Sequence, residues 1–399
     1  MKILKEISAQ EIDNRIQDML DGLKLSGRIK IDDIKNIIYH ENELKGSMKI
    51  INAFSDYAKN RKQFDLVSGT ISLAWNYLPH KSLGNLSPYQ KYQEYYNKKK
   101  IDKNNIKTPK YDSNKTSLYQ LFEDSLPERI SLKKIQDNEW RFVFSRNYHQ
   151  THEQFHEFYE SEDFSVMELA EKTSLILLKE PLLMEADSYL AHQFLKLGAE
   201  RNAFEVLEKS IAAVKNIFPK EFDWEKDKLP WYFLENRDFL NLLLDQAIFM
   251  EKGKGVSKSI PYYEQILSLN PNDNQGVRGI LTTIYLKTGQ PQKVLGLSKK
   301  YPDDATCELT MGYALALIKL GKIEEAEKHL ETIYKFSKHV VEELLKPTHR
   351  QPPQFNPERI QFGGEDEAFL YFREQGALWQ ATKGAMELLR KIHLKQSIF

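Results

Sequence analysis

Cysteine is almost absent from this sequence of 399 residues, in which Cys307 is the only one. A single cysteine excludes an internal disulfide and every zinc site that needs several cysteines. The neighbouring residues follow a helical pattern, so we expect Cys307 to be a small packed side chain and not a reactive thiol. A complete Gly-rich phosphate loop and a dinucleotide turn are missing too, and no cofactor is predicted.

Long apolar runs and an excess of one charge are also missing. No stretch approaches the roughly 20 apolar residues that cross a bilayer, and the opening MKILKEISAQEID lacks the apolar core of a signal peptide. Lys plus Arg equals Asp plus Glu at 57 each, so the net charge does not favour a polyanion. We therefore expect a cytoplasmic protein, with neither a membrane nor nucleic acid as a partner.

Apolar residues three and four positions apart recur through most of the sequence. This spacing predicts a mainly α fold, with a helical N-terminal domain followed by a tetratricopeptide-like α-solenoid. Ser8 and Glu11 have the spacing of a helix N-cap, and further helices are expected near 31–40, 44–60 and 63–77. With 41% hydrophobic residues, the chain has enough apolar side chains for extensive cores.

Shifts in composition divide the chain into five predicted regions. They are an N-terminal helical domain (1–100), a Lys- and Asn-rich linker (101–116), a connecting region with amphipathic helices and a short strand at 139–146 (117–180), helical repeats with an insertion near 215–240 (181–346), and a Pro-rich segment with C-terminal capping helices (347–399).

The region 181–346 contains four predicted helical hairpins with the spacing of tetratricopeptide repeats. YLAHQFLKLGAERNAFEVLEKSI and YALALIKLGKIEEAEKHLETI each place a small residue, a glycine at the turn and a second small residue in the same order. Small side chains let helix axes approach, and each hairpin buries its apolar face against its neighbour. The inner positions lack the Lys, Arg and Asn of a carboxylate clamp, which favours an apolar or mixed peptide-binding surface.

Four strings in this part of the chain resemble a known family. They are LPWYFLENRDFL (229–240), LSLNPNDNQGVR (267–278), GGEDEAFLYF (363–372) and LWQATKGAMELL (378–389). In this order they resemble a bacterial family of tetratricopeptide proteins, over roughly residues 170–392. Some members of that family carry a small cysteine-rich zinc module, and the resemblance does not extend to it because this chain lacks the cysteines.

The polar and aromatic residues of these strings are the candidate binding residues: Asn236, Arg237, Asp273, Asn274, Gln275, Arg278, Glu367, Tyr371 and Trp379. The arginines offer forked donors, and the carboxylates and amides offer acceptors, as a ligand or peptide site requires. Under the competing interpretation, which ordinary turn and cap chemistry favours, the polar groups hold the inserted loop on the next hairpin. Asp273 or Asn274 would then cap a helix.

The string THEQFHEF (151–158) has the spelling of a zinc-protease helix. His152 and His156 would project from one helix face as ligands, with Glu153 beside them as the base for a metal-bound water. A third ligand would have to come from one of three carboxylates: Glu168, Glu171 or Glu185. The glycine and third histidine of the extended motif are missing. The segment also has the pattern of an amphipathic helix with the histidines at the border of its faces.

The sequence thus favours a non-catalytic scaffold or adaptor that binds another protein or peptide through its helical-repeat surface. The alternative is a zinc-dependent hydrolase that uses the His152-Glu153-x-x-His156 string. Polyanion binding through the lysines between Lys98 and Lys110 is a third hypothesis, disfavoured because Tyr111 is their only obvious stacking partner.

Overall fold

The computed structural model describes residues 7–41, 46–55, 57–91, 128–159, 163–353, 355–356 and 360–396. These residues are mainly helical and contain one two-stranded sheet, so the predicted fold class is confirmed. No helix among them is long and apolar enough to cross a membrane. The predicted linker and the lysines between Lys98 and Lys110 lie outside the described residues.

The chain forms two compact units, Met1–Leu242 and Leu243–Phe399. Their boundary lies inside the region 181–346 that the sequence analysis treats as one repeat series. The limits of the five predicted regions stay predictions.

The first unit begins with four helices around an apolar core: α1 (Ala9–Gly22), α2 (Ile31–His40), α3 (Gly46–Ser55) and α4 (Arg61–Tyr77). The Ser8 hydroxyl accepts a hydrogen bond from the Glu11 amide and so caps α1, as predicted. Asn60 caps α4 in the same way. Side chains such as Ile16, Met19 and Phe54 are completely buried in this core.

A β-hairpin follows, in which β1 (Ser131–Gln136) pairs antiparallel with β2 (Glu139–Val143). β2 lies within the predicted strand 139–146, and β1 was not predicted. A backbone hydrogen bond joins the hairpin to a later segment of the first unit. In it the Trp140 amide donates to the carbonyl of Lys228. The rest of the first unit consists of α5 (Arg146–Tyr159), α6 (Val166–Lys179), α7 (Met184–Lys196) and α8 (Glu200–Lys215).

Helix α9 (Glu235–Lys254) begins in the first unit and ends in the second. The second unit continues with α10 (Val256–Leu269), α11 (Val277–Lys287), α12 (Pro291–Lys300), α13 (Cys307–Lys319), α14 (Ile323–Leu345), α15 (Glu365–Ala381) and α16 (Ala385–Gln396). Successive helices of this series pack on one another. Gly312 permits the approach of α13 to α11, because a Cβ atom there would lie 2.3 Å from the Thr282 methyl carbon.

Candidate metal centre

Helix α5 contains the His-Glu-x-x-His string. Its sequence determines where the helix begins and which of its faces is buried. The Ser145 hydroxyl accepts from the Tyr148 amide at 3.1 Å and caps the start of the helix. Tyr148, Thr151 and Phe155 form the buried face. His152 and His156 lie at the border of that face with about a third of each side chain exposed. This is the amphipathic arrangement that the sequence predicts.

Helix α7 brings a carboxylate to the two histidines. The Nε2 atoms of His152 and His156 lie 2.8 and 2.9 Å from the same Oε2 atom of Glu185. One ligand atom from each of the three residues lies within 4.8 Å of the others. Of the other two carboxylates predicted as a third ligand, Glu168 caps α6 by accepting from the Ser165 amide, and Glu171 is exposed.

A second carboxylate, that of Asp238, is linked to this cluster through Tyr148. Asp238, in the first turn of α9, accepts a hydrogen bond from the Tyr148 hydroxyl at 2.9 Å. The Tyr148 ring lies nearly parallel to the His152 ring, at 6.1 Å between centroids and 14° between planes. One buried tyrosine therefore contacts both the carboxylate and an imidazole of the cluster. Outer contacts of this kind fix the orientation of metal-ligating histidines.

Electrostatics in the cluster follow from burial and from this crowding of acids. Burial and the neighbouring Glu185 raise the pKa of Asp238 to about 6. Burial also opposes ionisation of Glu185, but the two imidazole contacts outweigh it and lower the pKa of Glu185 to about 2. Burial disfavours the charged form of His152 as well, yet its bond to Glu185 and the nearby Asp238 raise its pKa. The carboxylates of Glu185 and Asp238 therefore favour a positive charge at His152.

A groove of about 470 Å³ opens beside the cluster. Glu185, Ser188, His192 and Gln193 of α7 line it together with Asp238. Gln193 is only 1% exposed, and its Oε1 atom has no hydrogen-bond partner among the described residues. The groove thus combines polar groups with access for a small molecule or water.

Three ligand atoms from two imidazoles and one carboxylate are a donor set that zinc uses, and catalytic zinc sites keep a fourth position for water. Glu153 is half-buried, and its charge acts on His152. Its role as a base stays a prediction. Tyr148, Asp238 and Gln193 were not predicted from the sequence as residues of this site. A signal for Asp238 existed, since it follows directly after the "ENR" of the LPWYFLENRDFL string.

The predicted binding residues of the first unit hold the β-hairpin and the inserted loop. Asn236 is completely buried and donates to the carbonyls of Trp140 and Pro230, at 3.0 and 3.1 Å. Its side-chain oxygen accepts from the Phe142 amide at 3.1 Å. Arg237 donates to the Trp231 carbonyl at 2.9 Å and lies over the Trp231 ring.

The residues of NDNQGVR form the turn and the cap at the start of α11 in the second unit. Asp273 adopts a left-handed backbone conformation with φ of 51°, and its carboxylate accepts from the amides of Val277 and Arg278. The Arg278 guanidinium pairs with Asp304 and lies 5.0 Å from the Tyr301 ring centroid. Asn274 is exposed and Gln275 half-buried. The Asp273 contacts are the capping that the competing interpretation predicts.

The remaining three candidates lie at the C-terminal helices. Glu367 accepts from the Gly363 amide at 2.6 Å, before the start of α15. The indole of Trp379 donates to the Tyr371 hydroxyl at 2.9 Å, and both rings are buried. The binding role predicted for all nine residues stays a prediction.

A second group of possible metal ligands consists of Cys307, Glu308 and Glu367. Cys307 is buried, as expected for a packed side chain. Burial and the two neighbouring carboxylates raise the pKa of its thiol far above the usual value. This thiol would have to lose its proton to bind a metal, and the group contains no imidazole, unlike the group on α5 and α7.

A family model described as Tcf25, transcriptional repressor TCF25, matches residues 140–392 of the chain. The matched range is more than half of the 399 residues. The chain belongs to the transcriptional repressor TCF25 family. The match includes the whole α5–α7 cluster and most of the second unit. No curated protein matches this chain.

The predicted membership of a bacterial tetratricopeptide family is wrong. All four strings on which it rested lie inside the residues that the TCF25 family model matches, and that match identifies a different family. The physical reason for the error is that short strings at helix starts and turns are dictated by local contacts, which do not by themselves define a family. The strings themselves encode local contacts, such as the three hydrogen bonds of Asn236.

Proposed function

We propose that this member of the TCF25 family is a non-catalytic regulator that binds another protein through α5 and α6. The family description as a transcriptional repressor supports a regulatory role. The observation that carries the proposal is the surface of α6, which presents apolar side chains on two opposite faces.

One face of α6 is packed and the other is open. Leu169, Thr173 and Ile176 are buried against the rest of the unit. On the opposite side Met167, Leu175 and Leu178 are 59, 61 and 79% exposed. Positions 167, 175 and 178 share one side of a helix with 3.6 residues per turn. The exposed Glu171 lies on the same side, so this face combines three large apolar side chains with an acidic group. An exposed apolar patch with a polar group beside it supports a binding role.

A second groove lies next to this open face. It has a volume of about 570 Å³ and is lined by α5 and α6 residues, with Phe158, Leu175 and Ile176 as its apolar part. Gln154, Glu157, Lys172 and Lys179 supply polar atoms around them. An apolar strip with a polar rim fits an amphipathic helix of a partner protein, whose apolar face would cover the leucines.

The nature and location of the partner follow from the same observations. The α5–α6 groove contains charges of both signs, which supports a protein partner over a polyanion. The family description supports action in the nucleus and not the cytoplasmic location that the sequence analysis favours. It also gives no support to the expectation that nucleic acid is not a partner, so nucleic acid forms one arm of the test.

The test compares three proteins in cells that contain the natural partners. They are the wild-type chain, a Leu175→Glu/Leu178→Glu double variant and a matched Leu394→Glu variant. Leu394 is 65% exposed in α16, so it controls for adding a charge at an exposed leucine. A photo-crosslinking amino acid at position 167 identifies contacts on the α6 face by mass spectrometry.

We expect the double variant to lose the crosslinked protein and to stay folded, and we expect Leu394→Glu to retain that protein. Equal recovery from all three chains would overturn the proposal. So would binding of duplex DNA or RNA that depends on Leu175 and Leu178 while no protein is crosslinked. Fluorescence microscopy of the tagged chain tests the nuclear location.

Zinc-dependent hydrolysis is a second candidate function, supported by one observation. Glu185 lies within hydrogen-bond distance of both histidines of the His-Glu-x-x-His string, which completes three ligands. We expect Glu153→Gln to abolish hydrolysis of a mixed peptide library by the zinc-loaded protein while zinc is retained. Undetectable hydrolysis by the zinc-loaded wild-type chain would exclude this function.

A further inference from the structure

In the cluster on α5 and α7, two histidines share one carboxylate oxygen. Both imidazole Nε2 atoms approach a single oxygen of Glu185, at 2.8 and 2.9 Å, and the His152 and His156 ring centroids are 4.4 Å apart. Two helices thus direct three ligand atoms at one small volume. Zinc binds imidazole nitrogens and carboxylate oxygens at about 2.0–2.2 Å, so small side-chain movements would place all three around one ion.

Negative charge is concentrated around this volume, although Lys196 lines the neighbouring groove and the acids favour the protonated form of His152. Glu185 and Asp238 bring two carboxylates to two imidazoles, and Glu180 and Glu235 add further negative charge near them. Carboxylates that are held partly out of water require compensation by a positive group. A divalent ion bound to the two imidazoles and Glu185 would compensate both Glu185 and its neighbour Asp238.

The contacts behind the ligands are of the kind that support a metal. The Tyr148 hydroxyl donates to Asp238, and the Tyr148 ring lies parallel to that of His152. Phe155 is completely buried between the two histidines along the helix and packs against Tyr189 of α7. These packed aromatic rings limit the rotation of α5 against α7. The ligand atoms are therefore held close to their binding geometry before a metal arrives.

The cluster borders the α7 groove on the side of its carboxylate, Glu185. Glu185 and Asp238 both line this groove of about 470 Å³. The buried Gln193 also lines it, and its Oε1 atom has no donor among the described residues. A metal-bound water in the groove is a suitable donor for such an acceptor.

We propose that His152, His156 and Glu185 bind one zinc ion that joins α5 to α7, with a fourth position open to the groove. The ion would stabilise the packing of α7 on α5, and α5 forms part of the proposed α5–α6 binding surface. This inference does not rest on the proposed partner, since zinc binding is measured on the chain alone. Catalysis is not required for it either.

The experiment uses the full chain purified without a polyhistidine tag, because a tag would bind zinc. The protein is incubated with zinc chloride, freed of excess ion by gel filtration and examined by elemental analysis. Competition with a fluorescent chelator gives the affinity. We expect about one zinc per chain, as in other sites with three protein ligands.

Two ligand variants and one matched control complete the experiment. We expect His156→Ala and Glu185→Gln each to weaken zinc binding by at least about 100-fold, since even outer contacts of metal sites contribute about 10–100-fold. His339→Ala should bind zinc like the wild-type chain. His339 also lies beside a glutamate, 3.5 Å from Glu342, but it belongs to no group of three possible ligands among the described residues.

Cobalt(II) gives a second readout that does not depend on stability. Bound by two imidazoles, a carboxylate and water, it should show the visible absorption of a four- or five-coordinate ion, and Glu185→Gln should remove that absorption. Far-UV circular dichroism checks that each variant is folded. Zinc affinity of the wild-type chain no higher than that of a His152→Ala/His156→Ala variant would overturn the proposal. An unchanged affinity in Glu185→Gln would also overturn it, because the histidines alone would then chelate the ion.

Discussion

Residues 128–242 and residues 243–396 treat charged side chains differently. Among the described residues, the first range buries Arg141, Glu180, Asp187, Asp227 and Glu235, whereas the second buries Asp273 and Glu343. In the second range most ion pairs lie at the surface, such as Lys391 with Glu327. Buried charge requires specific partners, while an apolar core requires only shape and volume. We therefore expect chemistry in the first range and mainly packing in the second.

The largest effect is expected from Trp379→Ala, which tests packing in the second range. Trp379 is completely buried and donates to Tyr371. Its removal should lower the free energy of unfolding by about 3–5 kcal/mol, because a large cavity forms. Urea unfolding followed by circular dichroism measures the loss. Phe336→Ala, at a side chain that is 69% exposed, is the control and should change stability little.

Asn236→Ala tests the polar contacts of the first range. Its three hydrogen bonds to Trp140, Pro230 and Phe142 would be lost, and the backbone groups left behind are buried. We expect a loss of about 1–3 kcal/mol in the free energy of unfolding. Asn274→Ala should have almost no effect because Asn274 is exposed. A larger loss for Asn236→Ala than for Trp379→Ala would contradict the contrast between the two ranges.

Glu308→Gln should have a smaller effect and the opposite sign. Burial raises the pKa of Glu308 above its ordinary value of 4.5. A raised carboxyl pKa in the folded state means that the ionised form costs stability, so this cost appears as the pH rises through 4.5 and above. The variant should therefore be more stable than the wild-type chain at neutral pH, and the gain should vanish in acid. Glu324→Gln, at an exposed position, should give no gain at either pH.

The smallest effect is expected from His329 of α14. Burial lowers its pKa below 6.5, although its ring contact with the Thr310 carbonyl at 3.0 Å partly opposes the shift. The neutral form is favoured in the folded state, so its contribution to stability is complete above pH 6.5 and is lost as the pH falls below that value. Urea midpoints measured from neutral to mildly acidic pH should fall less in His329→Gln than in the wild-type chain. If the urea midpoints of the two proteins fall equally with pH, His329 does not contribute to the pH dependence of stability.

Local spacing predicted much of the fold. The apolar period predicted the helices, and Ser8 caps α1 as its position indicated. Strand β2 was predicted because EWRFVFSR is rich in aromatic and β-branched residues, of which Trp140 and Phe142 are buried. β1 was missed because Lys133 and Lys134 are exposed and interrupt its apolar pattern. The residues of β1 do not favour a strand strongly by themselves, and β1 forms because it pairs with β2.

The candidate site could be predicted only in part. Helical spacing placed His152 and His156 on one side of α5, but it could not choose among three later carboxylates. Glu185 reaches the histidines because α7 packs in the right place, and this depends on contacts far apart in the sequence. Asp238 and Tyr148 belong to different helices and meet only in the folded chain. The family was assigned wrongly because four short strings carried the resemblance, and short motifs alone do not identify a family.

The open face of α6 has a practical consequence for handling the protein. At high concentration, Leu178 and its neighbours on one molecule will contact those of another, because Met167, Leu175 and Leu178 are 59, 61 and 79% exposed. We expect reversible self-association that grows with concentration and with added sulfate. The Leu175→Glu/Leu178→Glu variant should then be the better-behaved material for crystallisation and scattering.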